Sequence, residues 1–489
     1  MSDGGPSGVV FPEVEGRRST SATGRAVLAD ALAVVDPIGS AAAARETSWR
    51  SGYLAHFRRL VEAGLVSAEA SRRVAADGLA SVHARMVVHA DGLERPVLEA
   101  AAGGVDDPAR GATLGTALVE GTGEAEGELS VPYHGERLTG DALRRRLEAW
   151  AAAGAVEPSV CDAVGEVVDH PEWLGLPGRT VVVLGATAEM GPLRSLLRWG
   201  ADVAAVDLPR RELWSRLLHD VSGYAGRLRV PVTAGDAPVA DHAGLDLIHD
   251  LPRAAAWVAG LDGSLVIGNY VYADGALNVR LSTAVDALGE VVRARRPDTA
   301  LAMLATPTDI FAVPADAVEA SVAAYATRRT SRLLRVPLRT LSGGRLLRRN
   351  YLPGEDPGIC DAVVLQQGPN YLLAKRIQRW RATVAQAEGA TVSFKVAPPT
   401  RTRSVLKNRA LASAYAGAHR FGIEVFEPGT ANTLMAALLV HDLTLGTPRH
   451  EHPWQDEAYA AAHGGLWRGA YDPRSALGLA ALLGAAAAR

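Results

Sequence analysis

At 489 residues the chain is long enough for two or three domains and a large core, and 48% apolar with 21% charged residues is the balance of a soluble globular protein. A formal charge of −3 gives no electrostatic reason to expect nucleic acid as a partner, and its two cysteines, Cys161 and Cys360, exclude a disulfide framework or a cysteine-based zinc module and fit a reducing, cytoplasmic compartment. No apolar run is long enough to span a bilayer, the alanine-rich stretch 475–489 included, so no membrane partner is expected.

Residues 1–24 are rich in Ser, Gly and Pro, lack the apolar segment of a signal peptide, and read as a disordered tail. Residues 25–175 read as an α-rich N-terminal domain. Trp49, Tyr53, Phe57 and Leu60 form one helical stripe, which marks a core face or a subunit contact. A strand near 129–133 and helices at 141–153 and 157–168 follow. The turn Pro177-Gly178 then opens a second domain, 176–441, in which strands and helices alternate as in a doubly wound parallel α/β sheet. Expected strands are 180–184, 202–206, 228–233, 299–305 and 391–396. Segments 245–249 and 265–269 compete for the fourth core strand, and 265–269 is preferred because it ends in Asn269. Residues 309–360 interrupt the alternation and read as an insertion capping the site. Eight arginines lie between Arg328 and Arg349, suited to an anionic group of a substrate or, more commonly, to a solvated face. Helices 371–388, 404–416 and 430–440 and a strand 423–426 complete the domain, and 442–489 is a C-terminal extension.

The most informative stretch is 179–211. An apolar, β-branched strand runs into Gly185, a short loop reaches Gly191, a helix follows, and a second strand stops at Asp207, 22 positions after the first glycine. Such a β-turn-α-β unit presents backbone N–H groups and a helix start to a pyrophosphate, with the acid on ribose hydroxyls. Gly185, Ala186, Thr187, Met190 and Gly191 form the phosphate loop of this reading. Asp236, after the third strand, is placed to accept the adenine amino group. A carboxylate at Asp207 favours NAD, while Arg210 and Arg211 sit close enough to bind the extra phosphate of NADP. Glu189 stands in the loop and must point away for a pyrophosphate to settle there.

Tyr371 and Lys375 are i,i+4 on one helix, so both leave the same face, and a nearby ammonium makes a phenol a better proton donor and acceptor for an alcohol. The helix is followed by Gly389, a strand and Val396-Ala397-Pro398-Pro399-Thr400. Over roughly 178–308 and 362–427 the chain resembles the short-chain dehydrogenase/reductase family, in which Tyr-x-x-x-Lys opens such a helix and a proline loop closes over the nicotinamide. The resemblance implies a Rossmann-like dinucleotide fold and NAD(P)-dependent interconversion of a carbonyl and an alcohol on a small or medium substrate. It implies Tyr371 as general acid/base, Lys375 as the residue tuning it and holding ribose, Asn278 as the active-site asparagine, Thr306 or Thr308 as the hydroxyl in the family's serine position, and Pro398 in the closing loop. It also implies a homo-oligomer paired through the tyrosine helix and its neighbour. The middle glycine of the loop is absent, and Thr306 lies 65 residues before Tyr371, which requires the 309–360 insertion to fold away.

Two other readings remain. A Gly loop with an acid after the second strand also serves S-adenosylmethionine in methyltransferases, and a scaffold that kept the fold without the chemistry is consistent with Glu189. His450-Glu451-His452 with His463 reads as a polar surface turn rather than a metal centre, and Gly464-Gly465-Leu466-Trp467-Arg468 as a docking tail.

Overall fold

The computed structural model describes residues 7–106, 114–233, 235, 237–327 and 329–487. The sheet contains seven strands: β1 (Gly115–Glu120), β2 (Arg179–Leu184), β3 (Asp202–Val206), β4 (Arg227–Val232), β5 (Ser264–Asn269), β6 (Ala300–Ala305) and β7 (Val392–Val396). Their spatial order is β7-β6-β5-β2-β3-β4-β1. Neighbours from β7 to β4 are parallel, and β1 closes the far edge antiparallel to β4. The six parallel strands follow one another outward from β2 to β4, then outward again on the other side from β5 to β7. The order therefore reverses between β2 and β5, the place where open α/β sheets bind ligands at the carboxyl ends of their strands.

β2 is buried along nearly its whole length because helices cover both faces. Val182 and Leu184 join one core cluster, and Val181 and Val183 the other. That two-sided burial is why the segment is an unbroken apolar run. Helices Leu193–Arg198 and Arg211–Val221 pack on one face, joined by Pro428–Leu445. Leu251–Ala259, Gly275–Arg295 and Gly368–Ala387 pack on the other. Strand 265–269 is thus the fourth core strand, and 245–249 is a turn-rich connection.

Residues before 176 do not form a domain of their own. The helices between Thr20 and Asp106 share a core with the face that carries Gly368–Ala387, helices Gly140–Ala152 and Pro158–Asp169 share a core with the opposite face, and β1 belongs to the sheet. The stripe Trp49, Tyr53, Phe57, Leu60 is core, each residue nearly fully buried. From residue 7 onward the tail is also more ordered than its composition suggests. Gly8–Val10 pairs antiparallel with Val87–Ala90, and Val9 donates its N–H to the Ile248 carbonyl at 2.9 Å. The expected strand at 423–426 is reduced to one bridge between Thr400 and Phe426.

Helix Ala68–Arg85 lies against Gly275–Arg295 and Gly368–Ala387. A side chain at Gly78 would strike the ring of Trp380, so glycine there gives the indole its seat. His83 Nε2 meets Asp286 at 2.6 Å, and Arg381 donates to Asp286 at 2.7 Å and also to Glu290. Burial opposes ionisation of Asp286, but Arg381 and His83 outweigh it and hold the carboxyl well below the usual range. The faces of the tyrosine helix and its neighbour, where pairing of two copies was expected, are covered here by the chain's own N-terminal helices.

The 309–360 insertion is rooted in a strand pair, Ile310–Val313 with Gly358–Asp361, antiparallel in register Ile310↔Asp361. Ala362 donates to the Asp309 carbonyl at 3.2 Å, which closes the excursion and returns the chain to β6. Helices Ala315–Thr327 and Arg329–Leu341 lie beyond that root.

Candidate functional site

Three sequence-distant pieces meet at the carboxyl ends of β5 and β6. Thr306 and Thr308 follow β6, with their hydroxyls 2.9 Å apart. Tyr371, in the first turn of Gly368–Ala387, is half-buried and lies near Thr306. The helix is fixed by Asp309, itself 1% exposed, which accepts from Arg376 at 3.2 Å and Arg379 at 3.0 Å. Arg379 also pairs with Glu457 at 2.6 Å. The strand pair at the root of the insertion returns the chain to the end of β6, which leaves Tyr371 near Thr306 despite the gap in sequence.

Lys375 donates from Nζ to Gln378 Oε1 at 3.1 Å, and Gln378 donates to Asn269 Oδ1 at 3.3 Å. Lys375 is thereby tied, through Gln378, to the end of β5. Asn278 receives the Ala273 N–H on Oδ1 at 3.3 Å and pins the loop after β5; its Nδ2, in a residue 2% exposed, has no partner among the described residues. Burial pushes the Tyr371 phenol up to about 12, with the Thr306 hydroxyl opposing it. Burial pulls the Lys375 ammonium down to about 8, with Asp309 opposing. Lys375 is not among the groups that act on the phenol, whose proton affinity is raised and not lowered, so the expected tuning of Tyr371 by the ammonium is not seen; the ammonium is turned to Gln378.

On the other side of the switch, Gly185 adopts φ +86°, and a Cβ there would crowd the backbone of Tyr270 and Val271 at 3.0–3.1 Å. The Gly185 and Ala186 N–H groups donate to the Val206 carbonyl, that of Ala188 to Gly185 and that of Gly191 to Ala188. Asp207 accepts the Thr187 N–H at 2.8 Å and its hydroxyl at 2.7 Å on one oxygen, and the Leu208 N–H at 2.8 Å on the other. Glu189 reaches across to the segment after the Pro-Pro loop, with Oε2 accepting the Arg403 N–H at 2.8 Å and Oε1 facing Arg403 Nε at 3.2 Å. Asn432 holds the Glu189 carbonyl at 3.0 Å. Met190 lines a small cavity of about 10 Å³ with Tyr270, Met303 and Lys395. Arg211 is paired to Asp241 at 2.8 Å, and Arg210 is exposed.

Pro398 is buried after β7, where Ala397 donates to the Ala305 carbonyl at 3.0 Å, so the Pro-Pro loop lies beside the end of β6. Asp236 lies outside the described residues. The structure thus gathers Thr306, Tyr371, Lys375 and Asn269 on one side of the switch, with Asn278 bracing the loop beside them. It gathers Gly185, Ala186, Thr187 and Asp207 on the other.

Three arginines of the insertion gather on Tyr325. Arg335 lies over the Tyr325 ring at 3.8 Å and donates to its carbonyl, Arg349 lies over the same ring at 4.6 Å, and Arg339 donates to its hydroxyl at 3.0 Å. His450 pairs with Asp456 at 2.8 Å, while His463 is buried against Glu157 at 2.8 Å. Among the described residues no cluster of three or more potential metal ligands forms, and no helix is long and apolar enough to cross a membrane.

Sequence reasoning missed Gln378, although its i,i+3 spacing from Lys375 put it within reach. It also missed Tyr272, whose ring stands edge-on to Tyr371 at 6.3 Å, and Tyr415, which nothing in its local sequence sets apart. No family model matches the chain, and no curated protein or solved structure matches it.

Proposed function

We propose that the chain is a Rossmann-like, NAD-dependent oxidoreductase resembling short-chain dehydrogenases, interconverting a carbonyl and an alcohol on a small or medium substrate. The observation that carries this reading is the strand-order switch, with Gly185 and Asp207 on one side and Thr306, with Tyr371 nearby and Lys375 one turn on, at the end of β6 on the other. The dinucleotide would be held by the N–H groups of the first turn after Gly191, by Asp207 on the adenosine ribose and by Lys375 on the nicotinamide ribose. The fit is favourable where Gly185 keeps its loop tight and Arg403 neutralises Glu189. NAD is preferred because Asp207 closes β3 and Arg211 is committed to Asp241. When bound, the nicotinamide supplies or accepts the hydride.

Tyr371 then gives its proton to the carbonyl oxygen during reduction and takes the hydroxyl proton during oxidation. Thr306 orients that oxygen by hydrogen bonding. Asn278 steadies the loop that frames the pocket. Tyr371→Phe is expected to leave NAD affinity within about two-fold and to lower kcat by roughly 10²–10⁴. Titration calorimetry and steady-state rates measured on one preparation test this.

A second reading, a scaffold without turnover, is favoured by one observation: five of the loop N–H groups and both oxygens of Asp207 are already bonded within the protein. It predicts no stabilisation by any dinucleotide.

A further inference from the structure

A cavity of about 80 Å³ lies next to the site, between helix Arg409–Gly417 and the C-terminal helix Pro473–Ala487. Its wall includes Thr308, Val364, Pro399, Tyr415, Leu466 and Ala480. The volume is several times the ~10–15 Å³ that one water needs, and the lining is mostly aliphatic and aromatic, so water is poorly held there. Its charged lining residue, Arg474, is paired to Asp361 at 2.8 Å. The two helices approach closely because Gly417 and Gly484 lack side chains: a Cβ on Gly417 would strike the Ala480 carbonyl, and one on Gly484 the Ser413 carbonyl. The cavity reaches the reacting groups through Thr308, whose hydroxyl is 2.9 Å from that of Thr306.

We propose that this cavity receives an uncharged hydrocarbon group of the substrate, leaving the oxygen-bearing carbon at the Thr306–Tyr371 end. The proposal rests on the oxidoreductase reading and names its substrate class: apolar ketones or secondary alcohols rather than the anionic compounds suggested by the arginine-rich insertion. Arg335, Arg339 and Arg349 of that insertion clasp Tyr325, and the cavity lining carries no unpaired charge.

The test is a titration of the full-length protein with 2-alkanones from butanone to dodecanone, followed by calorimetry, with NAD(H) binding measured in parallel. Each added methylene is expected to tighten binding roughly four-fold until the cavity is full. Ala418→Phe, at the cavity wall, shortens the preferred chain, and Leu466→Ala lengthens it. If Ala418→Phe does not fold, the length series and Leu466→Ala still decide. Affinity independent of chain length, or a length preference unmoved in variants that melt like the parent, overturns the proposal. Nicotinamide binding with turnover of short polar ketones alone overturns the hydrocarbon site and leaves the oxidoreductase reading standing. Length-dependent alkanone binding without any nicotinamide binding does the reverse.

Discussion

At the scale of single residues, the site carries a half-buried amine one helical turn from a half-buried phenol. Lys375 has its ammonium drawn from the usual 10.5 down to about 8, by burial first and against the pull of Asp309. The folded state therefore binds this proton more weakly than the unfolded chain does. Below pH 8 the ammonium is charged in both states and is desolvated at a cost. Between about pH 8 and 10.5 the unfolded chain holds more protons, so stability rises with pH. Lys375→Met is expected to raise stability at pH 7 by roughly 2 kcal/mol in urea unfolding, with the gain fading between about pH 8 and 10.5 and absent above, while turnover falls. A loss of stability at pH 7 would show that the ammonium is better paired than Gln378 and Asp309 indicate. The Tyr371–Lys375 pair was legible because helical spacing fixes a shared face. Thr306 was nameable only through the family resemblance, because its encounter with Tyr371 depends on the strand pair that closes the insertion. Asp207 was legible as the acid ending the second strand, but its engagement by Thr187 was not, because that bond depends on the three-dimensional path of the loop.

At the scale of elements, the tyrosine helix is held from both ends of the sequence. Asp309 and Glu457 grip its arginines, and helix Ala68–Arg85 packs along it through Gly78 and Trp380. Gly78→Leu is expected to destabilise the fold by roughly 1–3 kcal/mol by displacing the Trp380 ring, read as a lower urea midpoint with altered tryptophan fluorescence. Unchanged fluorescence and midpoint would contradict that contact. The β2-to-β3 unit was readable because two-sided burial writes a continuous apolar run. Gly8–Val10 was not, because its burial comes from pairing with Val87–Ala90, and no local pattern encodes a partner that distant. Segment 423–426 has strand-like composition, but its neighbour offers only one bridge.

At the scale of the whole molecule, residues before 176 complete both faces and one edge of the sheet. An amphipathic helix shows that it has a buried face, not what covers it, which is why the sequence pattern suggested a separate α-rich domain. A chain lacking residues 1–106 is expected to aggregate, because it would bare the apolar face of the tyrosine helix. A soluble, cooperatively melting truncation would contradict that. The C-terminal segment is tied in by Glu157, buried yet lowered to about 2 because His463 and Arg468 outweigh its desolvation. Its carboxylate stabilises the fold above the usual carboxylate pKa near 4.5, and that contribution is lost as pH falls from there toward 2. Glu157→Gln is expected to flatten acid unfolding in this window, followed by circular dichroism. An acid-unfolding curve as steep as the parent's would contradict this.

The most direct test of the functional claim is the thermal shift of the purified protein with NAD(H), NADP(H) and S-adenosylmethionine, repeated with Asp207→Ala. The account predicts stabilisation by NAD(H) of roughly 1.4–2.7 kcal/mol at ten to a hundred times its Kd, with a smaller effect of NADP(H), none of S-adenosylmethionine, and loss of the NAD(H) effect in the variant. No shift with either nicotinamide would contradict it and leave the scaffold reading, and a shift with S-adenosylmethionine alone would point to methyl transfer.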